Sequence, residues 1–160
     1  MTAGAGTEIL RFKVTADTAG DIQFVNGGSN NNILRFTLSG KAATHSTAGT
    51  LTLKNLTDNS AILDTVSTIT GDVVNANATV STDFSVATLT VPAGESRILS
   101  LTVDTTDFTA AGDNIKATIA NAAGDMNWSD TTTAGLSTDN NTYFNWLPLE
   151  GNALVSSVGS

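Results

Sequence analysis

An all-β fold, with antiparallel strands packed as a sandwich or closed as a barrel, is what this sequence predicts, on three observations. Thr and Val abound while the helix formers Glu, Lys and Arg are scarce, so local propensity favours strands. Short segments alternate apolar and polar residues with a period of two, and none keeps an i, i+3, i+4 apolar pattern for more than about two turns. Most connections between the segments are too short to hold a crossover helix, which leaves antiparallel pairing.

The first strand is expected over residues 8–15, where Leu10, Phe12 and Val14 alternate with Arg11, Lys13 and Thr15. Ala16 to Asp21 reads as a turn and residues 22–25 as a short strand, closed by Asn26-Gly27-Gly28, whose tolerance of positive φ suits a tight turn. Leu34, Phe36 and Leu38 alternate with Arg35 and Thr37 in a strand over 33–38. Residues 50–56 alternate again, Asp58-Asn59-Ser60 turns the chain, and Ala61-Ile62-Leu63 starts another short strand. From Ser67 to Ser81 the pattern weakens, which predicts a loop with one edge strand near Val73-Val74. The clearest hairpin follows: residues 84–91 and 96–103 both alternate, and Pro92-Ala93-Gly94-Glu95 joins them, with Pro at a corner and Gly where φ must be positive. A further strand covers 115–119, and 125–141 is loop-like, broken by Met126-Asn127-Trp128. Residues 143–147 and 153–158 close the chain. Short strands at regular spacing, with turn chemistry between them, are the signature of a sandwich or barrel.

The length of 160 residues suits one domain, with no internal repeat and no linker to divide it. The expectation is a single unit over 1–160, whose ends 1–7 and 151–160 are flexible or docked on a partner. With 40% hydrophobic residues there is enough apolar material for a core, which excludes a disordered chain. Only 14% of residues are charged, against roughly 25% in an ordinary soluble domain, and Thr, Ser, Asn and Gly fill the difference. Such short hydroxyl and amide surfaces suit extracellular and shell-like proteins.

The net charge is −8, and the basic residues Arg11, Lys13, Arg35, Lys41, Lys54, Arg97 and Lys116 are scattered along the chain. That excludes the basic stripe on which nucleic-acid binding depends, and it disfavours anionic lipid. No stretch approaches the about 20 apolar residues that cross a membrane. The opening Met1 to Gly6 has neither the basic start nor the apolar run of a leader, so an exported protein would stand here in its mature form. The absence of Cys excludes disulfides, thiolate nucleophiles and Cys-ligated metal centres, and leans outward from the cytoplasm.

No catalytic residues and no cofactor-binding residues are expected. His45, the one histidine, lies in the small-residue loop Ala42-Ala43-Thr44-His45-Ser46, with no Gly-x-Ser-x-Gly elbow anywhere to pair it with a nucleophile. Asp104, Asp107 and Asp113 share one inter-strand loop, and Asp17 and Asp21 flank another. Oxygen ligands at that spacing suit Ca²⁺, but there is no EF-hand register, and Asp favours turns because it bonds nearby backbone. The metal question therefore stays open at these residues.

Trp128, Tyr143, Phe144 and Trp146 cluster late in the chain, where they either pack a core or interface or line a carbohydrate site. Asn-x-Ser/Thr sequons at Asn55, Asn77, Asn127 and Asn140 are expected by chance in a chain this rich in Asn and Thr. Lys13 is the candidate lysine for an internal Lys–Asn isopeptide bond, although no matching signature accompanies it.

The segment Val91-Pro92-Ala93-Gly94-Glu95-Ser96, leading into Leu99-Ser100-Leu101-Thr102-Val103-Asp104, resembles bacterial immunoglobulin-like surface domains. Leu10 to Asp17, Gly112-Asp113-Asn114-Ile115, Trp128-Ser129-Asp130 and Leu147-Pro148-Leu149 look like the β-sandwich domains of large surface-layer-type proteins of ultra-small, uncultivated bacteria. The resemblance implies an immunoglobulin-like β-sandwich, with a jelly roll or barrel variant left open. The expected role is a non-catalytic extracellular module at the cell surface. It would pack with copies of itself or neighbouring domains through strand edges and the late aromatics, with a carbohydrate- or receptor-binding adhesion module as the alternative.

Overall fold

Alternation decides which side of each strand meets the core, and in this chain it does so strand after strand. The computed structural model describes residues 4–26, 32–41, 49–69, 74, 77–106, 108–119, 126–130, 137–139 and 149–155. Every named element among them is a strand: β1 (Thr7–Thr15), β2 (Ile22–Phe24), β3 (Leu34–Lys41), β4 (Gly49–Asn55), β5 (Ala61–Ile69), β6 (Thr79–Thr82) and β7 (Leu89–Val91). They continue with β8 (Ser96–Val103), β9 (Asn114–Ile119), β10 (Asn127–Asp130), β11 (Ser137–Asp139), β12 (Leu149–Glu150) and β13 (Leu154–Val155). All pairings among them are antiparallel, as the short connections predict.

One sheet runs β1-β8-β4-β5, a second β11-β10-β2-β7 and a third β12-β9-β3-β6, with β13 also on β9. The second and third sheets adjoin where Leu34 bridges Met126 and the Asn127 N–H donates to the Ile33 carbonyl at 2.9 Å. The first sheet faces the third across the core: Phe12 of β1 and Phe36 of β3 stand 6.2 Å apart, ring centre to ring centre. In the second sheet Phe24 stacks on Phe84 at 4.9 Å. One apolar cluster joins Leu10, Leu53 and Leu101 of the first sheet to Phe24 and Val91 of the second and Leu38 and Ile115 of the third. This is the sandwich-like all-β character that the period-two pattern predicts.

The pairing is nested. β1 lies beside β8, β2 beside β7, β3 beside β6 and β4 beside β5. A long antiparallel ribbon folded at the β4–β5 turn and then rolled produces this order.

The Pro92–Glu95 hairpin expected from the sequence is not formed. The turn itself is there: the Glu95 N–H donates to the Pro92 carbonyl at 2.9 Å and Gly94 has φ 74°. Its two arms belong to different sheets, β7 pairing with β2 and β8 with β1 and β4. Alternation reports which face of a strand is buried, and is silent on which strand lies beside it. The first arm is also shorter than expected, because Phe84 takes φ 59° and the strand starts only at Leu89.

Smaller differences have local causes. Ile9 and Leu10 are both buried because the β1–β8 register shifts between Glu8 and Leu10. β5 runs to Ile69, beyond the Ala61-Ile62-Leu63 start read from the sequence. The strand between Ser67 and Ser81 proves to be Thr79–Thr82; Val74 is buried in the core, and Val73 lies outside the described residues. The 125–141 stretch read as a loop holds β10 and β11, paired with each other. Its strands are short and polar, and polar three- and four-residue segments carry little periodic signal. The 143–147 strand, residues 27–28 of the expected glycine turn and residues 156–158 lie outside the described residues.

Residues within both expected end segments meet the body of the chain. Gly4 donates its N–H to Thr105 Oγ1 at 3.2 Å and accepts the Thr105 N–H at 3.0 Å. Near the other end β12 and β13 pair with β9, and a Cβ on Gly151 would stand 2.3 Å from the Ile9 carbonyl oxygen, so only glycine lets this segment approach β1.

Phe36→Ala is expected to lower stability to urea by about 3–5 kcal/mol, since it removes the ring that joins the facing sheets. Val86→Ala, at a side chain 57% exposed, is expected to change it by less than about 0.5 kcal/mol.

Candidate functional site

Asp is placed in turns by its ability to bond nearby backbone, and the loop acids singled out above are used in that way. Asp17 Oδ1 accepts the Ala19 N–H at 2.9 Å. Asp21 Oδ1 accepts the Ala93 N–H at 2.8 Å, tying the β1–β2 loop to the β7–β8 turn. Asp104 Oδ1 accepts both the N–H and the hydroxyl of Thr106, at 2.9 and 2.5 Å. Those two bonds, side chain first, hold the Asp104 carboxyl below its ordinary value against a small opposing effect of burial. Asp113, 1% exposed, accepts the Ala110 N–H at 2.9 Å. Asp107 and His45 lie outside the described residues. Among the described residues no three His, Cys, Asp or Glu side chains gather in a group able to hold a metal ion.

Two buried polar side chains that sequence reasoning missed organise the interior. Asp64, 2% exposed, accepts the Thr65 N–H at 2.8 Å, the Ser85 hydroxyl at 2.5 Å and the Asp83 N–H at 2.7 Å. It stands at the β4–β5 register shift and fastens the corner in which Phe84 adopts its positive φ. Asn32, fully buried, accepts the Val25 N–H at 2.9 Å and the Ser129 hydroxyl at 3.2 Å, joining the second sheet to the start of β3. An Asp inside an alternating strand and an Asn in an Asn-rich loop carry no signal that separates them from their exposed neighbours.

A third buried polar residue, Asn55, faces a cavity. Between the β4–β5 turn and β7 the layers part to leave about 480 Å³. Leu63 and Leu89, each 2% exposed, form its apolar lining, and Thr57, Asp58, Thr88 and Arg97 lie around it. The Val86 and Ala87 N–H groups both donate to the Leu63 carbonyl, at 3.2 and 3.1 Å, fastening the segment before β7 to β5. Arg97 is held by Glu95 at 2.8 Å. Asn55 is 5% exposed, and its Oδ1 accepts the Thr57 N–H at 3.1 Å. Its Nδ2 has no partner among the described residues. A second opening of about 300 Å³ lies between β1 and the residues around Gly151.

The sequence scatters its basic residues along the chain, and the strands gather all but Arg97 onto two faces. Arg11, Lys13 and Lys54 stand on the outer face of the first sheet and Arg35 and Lys116 on that of the third, each between buried neighbours, and Lys41 follows Arg35 at the exposed end of β3. On the first of these faces Glu8 binds Arg11 at 3.0 Å and accepts the Ser100 hydroxyl at 2.5 Å. Burial raises the Glu8 carboxyl, but Ser100 and Arg11 together outweigh it and hold it below its ordinary value.

Lys13 is exposed, so no buried isopeptide arrangement is built around it. Of the late aromatics Trp128 packs half-buried against the core, while Tyr143, Phe144 and Trp146 lie outside the described residues. Among the sequons Asn55 is buried, Asn77 exposed and Asn127 half-buried, and Asn140 lies outside the described residues. No helix among the described residues is long and apolar enough to cross a membrane. No protein-family model, curated protein or solved structure matches the chain.

Asp64→Ala, which leaves three donors without their acceptor, is expected to cost about 3 kcal/mol of stability in a urea titration. Glu8 and Asp104 have lowered values in the folded state, so their stabilisation is full above the ordinary carboxylate range and is lost as pH falls through the lowered values. The urea midpoint is therefore expected to hold steady above about pH 5 and to drop as the pH falls below about 4 and through the lowered values, and Glu8→Gln to make that drop smaller.

Proposed function

We propose that this chain is a non-catalytic structural module of an extracellular assembly, packing with copies of itself or with neighbouring domains in a surface layer or filament. The observation that supports the reading is the set of strands that end the sheets. Among the described residues β7 closes the second sheet and β6 the third, each with a ladder partner on one side in the sheet order, while the β5 edge of the first sheet is already met at Leu63 by the Val86 and Ala87 N–H groups. Unpaired backbone donors and acceptors along such strands invite pairing with another chain. The low charge content and hydroxyl-rich surface agree with close packing, since few charges have to be desolvated where two copies meet.

The winding of the sheets belongs to the same proposal. An immunoglobulin-like sandwich sets its first strand beside its second, whereas here β1 lies beside β8. The nested pairing supports the jelly-roll variant of the sandwich over the immunoglobulin-like one.

Electron microscopy of the purified protein across a concentration series tests the role. Filaments, sheets or closed rings are the expected result. They should persist when calcium is chelated, because the Asp17, Asp21, Asp104 and Asp113 carboxylates are engaged with backbone N–H groups. Isolated particles of one chain at every concentration would contradict the reading.

A further inference from the structure

A buried amide donor without an acceptor is costly, and in native structures it points to water or to a ligand. Among the described residues Asn55 Nδ2 is such a donor: the side chain is 5% exposed, its oxygen is engaged with Thr57, and it faces the cavity of about 480 Å³ beside β7. β7 is, among the described residues, the last strand of its sheet, laddered to β2 along one edge. In the usual rolled ribbon β4 would lie against that second edge, but here β4 pairs with β8 in the first sheet. The cavity thus combines an amide donor, a strand edge and an apolar lining of Leu63 and Leu89.

We propose that this cleft receives a short extended peptide, which adds to the outer edge of β7 and accepts the Asn55 side-chain N–H with one of its carbonyl oxygens. The proposal rests on the reading of the chain as a module that packs through strand edges, and it names where one such contact is made. A peptide matches both polar features at once, because an extended backbone presents carbonyls and N–H groups at the ladder spacing. One aliphatic side chain of the peptide seats on Leu63 and Leu89, and its neighbours point to the hydroxyls of Thr57 and Thr88. Charge selects the peptide further: Asp58 lies at the cleft and Arg97 is already held by Glu95, so an acidic segment is disfavoured and an uncharged one of alternating Thr and Val type fits. A sugar is the poorer match, since no aromatic ring on which it would stack is among the described residues that line the cleft.

The test is a titration of the isotopically labelled full chain with the probe peptide acetyl-Thr-Val-Thr-Val-Thr-amide, followed by nuclear magnetic resonance. Saturating shifts of the Asn55 side-chain amide and of the Leu89, Thr90 and Val91 backbone amides are expected, with most other signals unmoved. Asn55→Asp keeps the oxygen that accepts the Thr57 N–H and removes the donor, and is expected to weaken binding about tenfold. An unchanged remainder of its spectrum shows that this variant folds. Signals that stay still throughout the titration would overturn the proposal and leave water as the partner of Asn55. So would shifts produced by a maltose titration and not by the peptide. Peptide binding by a protein that never assembles would retire the packing reading and leave this one standing. Assembly by a protein whose Asn55 signal ignores the peptide would do the reverse.

Discussion

The architecture depends on one corner at which two connections cross between the layers together. The Ala16 N–H donates to the Glu95 carbonyl at 3.0 Å, the Gly94 N–H to the Asp17 carbonyl at 3.1 Å and the Ala93 N–H to the Asp21 carboxylate at 2.8 Å. These bonds carry the β1–β8 ladder around the bend into the β2–β7 ladder, so that one ribbon serves both sides of the sandwich. A corner in which strands change sheets leaves backbone groups without ladder partners. The reciprocal bonding of the two connections supplies those partners, with Gly94 at φ 74° providing a conformation that a side chain would oppose.

Much of the remaining anatomy follows from that crossing. Having left β7 behind, β8 takes a central place between β1 and β4, and from Leu99 to Val103 every residue is buried on both faces. Its outward residues are Ser100 and Thr102, small hydroxyls that find acceptors in Glu8 and in the Thr52 carbonyl, at 2.5 and 3.4 Å. On the other side of the corner β7 is left at the margin of its sheet, with the cleft and Asn55 beside it. The same rolled ribbon that builds the core therefore leaves, among the described residues, one edge of β7 without a ladder partner.

What was legible in the sequence, and what was not, divides along physical lines. Period-two alternation around Phe12, Phe36, Leu53 and Ala117 identifies the long strands and their buried faces, because burial acts on each residue locally, whereas β8 alternates in sequence and is yet buried on both faces from Leu99 to Val103. The Pro92-Ala93-Gly94-Glu95 turn was legible in its chemistry and illegible in its partners, since a four-residue turn closes a hairpin or starts a crossing with the same residues. The two- to four-residue strands β10, β11 and β12 escaped because they are too short to show a period. Asp64, Asn32 and Asn55 escaped for a different reason. Asp64 and Asn32 matter through donors brought to them over long stretches of chain, such as the Asp83 and Ser85 donors that meet Asp64, and Asn55 through the cleft that folding places beside it; composition holds no trace of either.

The most direct test of the crossing uses the absence of cysteine in the natural chain. Gln23 and Thr90 are register partners across β2 and β7, whereas a hairpin closed by Pro92–Glu95 would set Thr90 opposite Arg97. The measurement is disulfide formation in two double variants, Gln23→Cys with Thr90→Cys and Thr90→Cys with Arg97→Cys, under mild oxidation of the folded protein. The account predicts that the first pair closes and the second stays reduced. Closure of the second pair, with the first left open, would show that β7 and β8 form a hairpin and would contradict the crossing on which the rest of the structure is built.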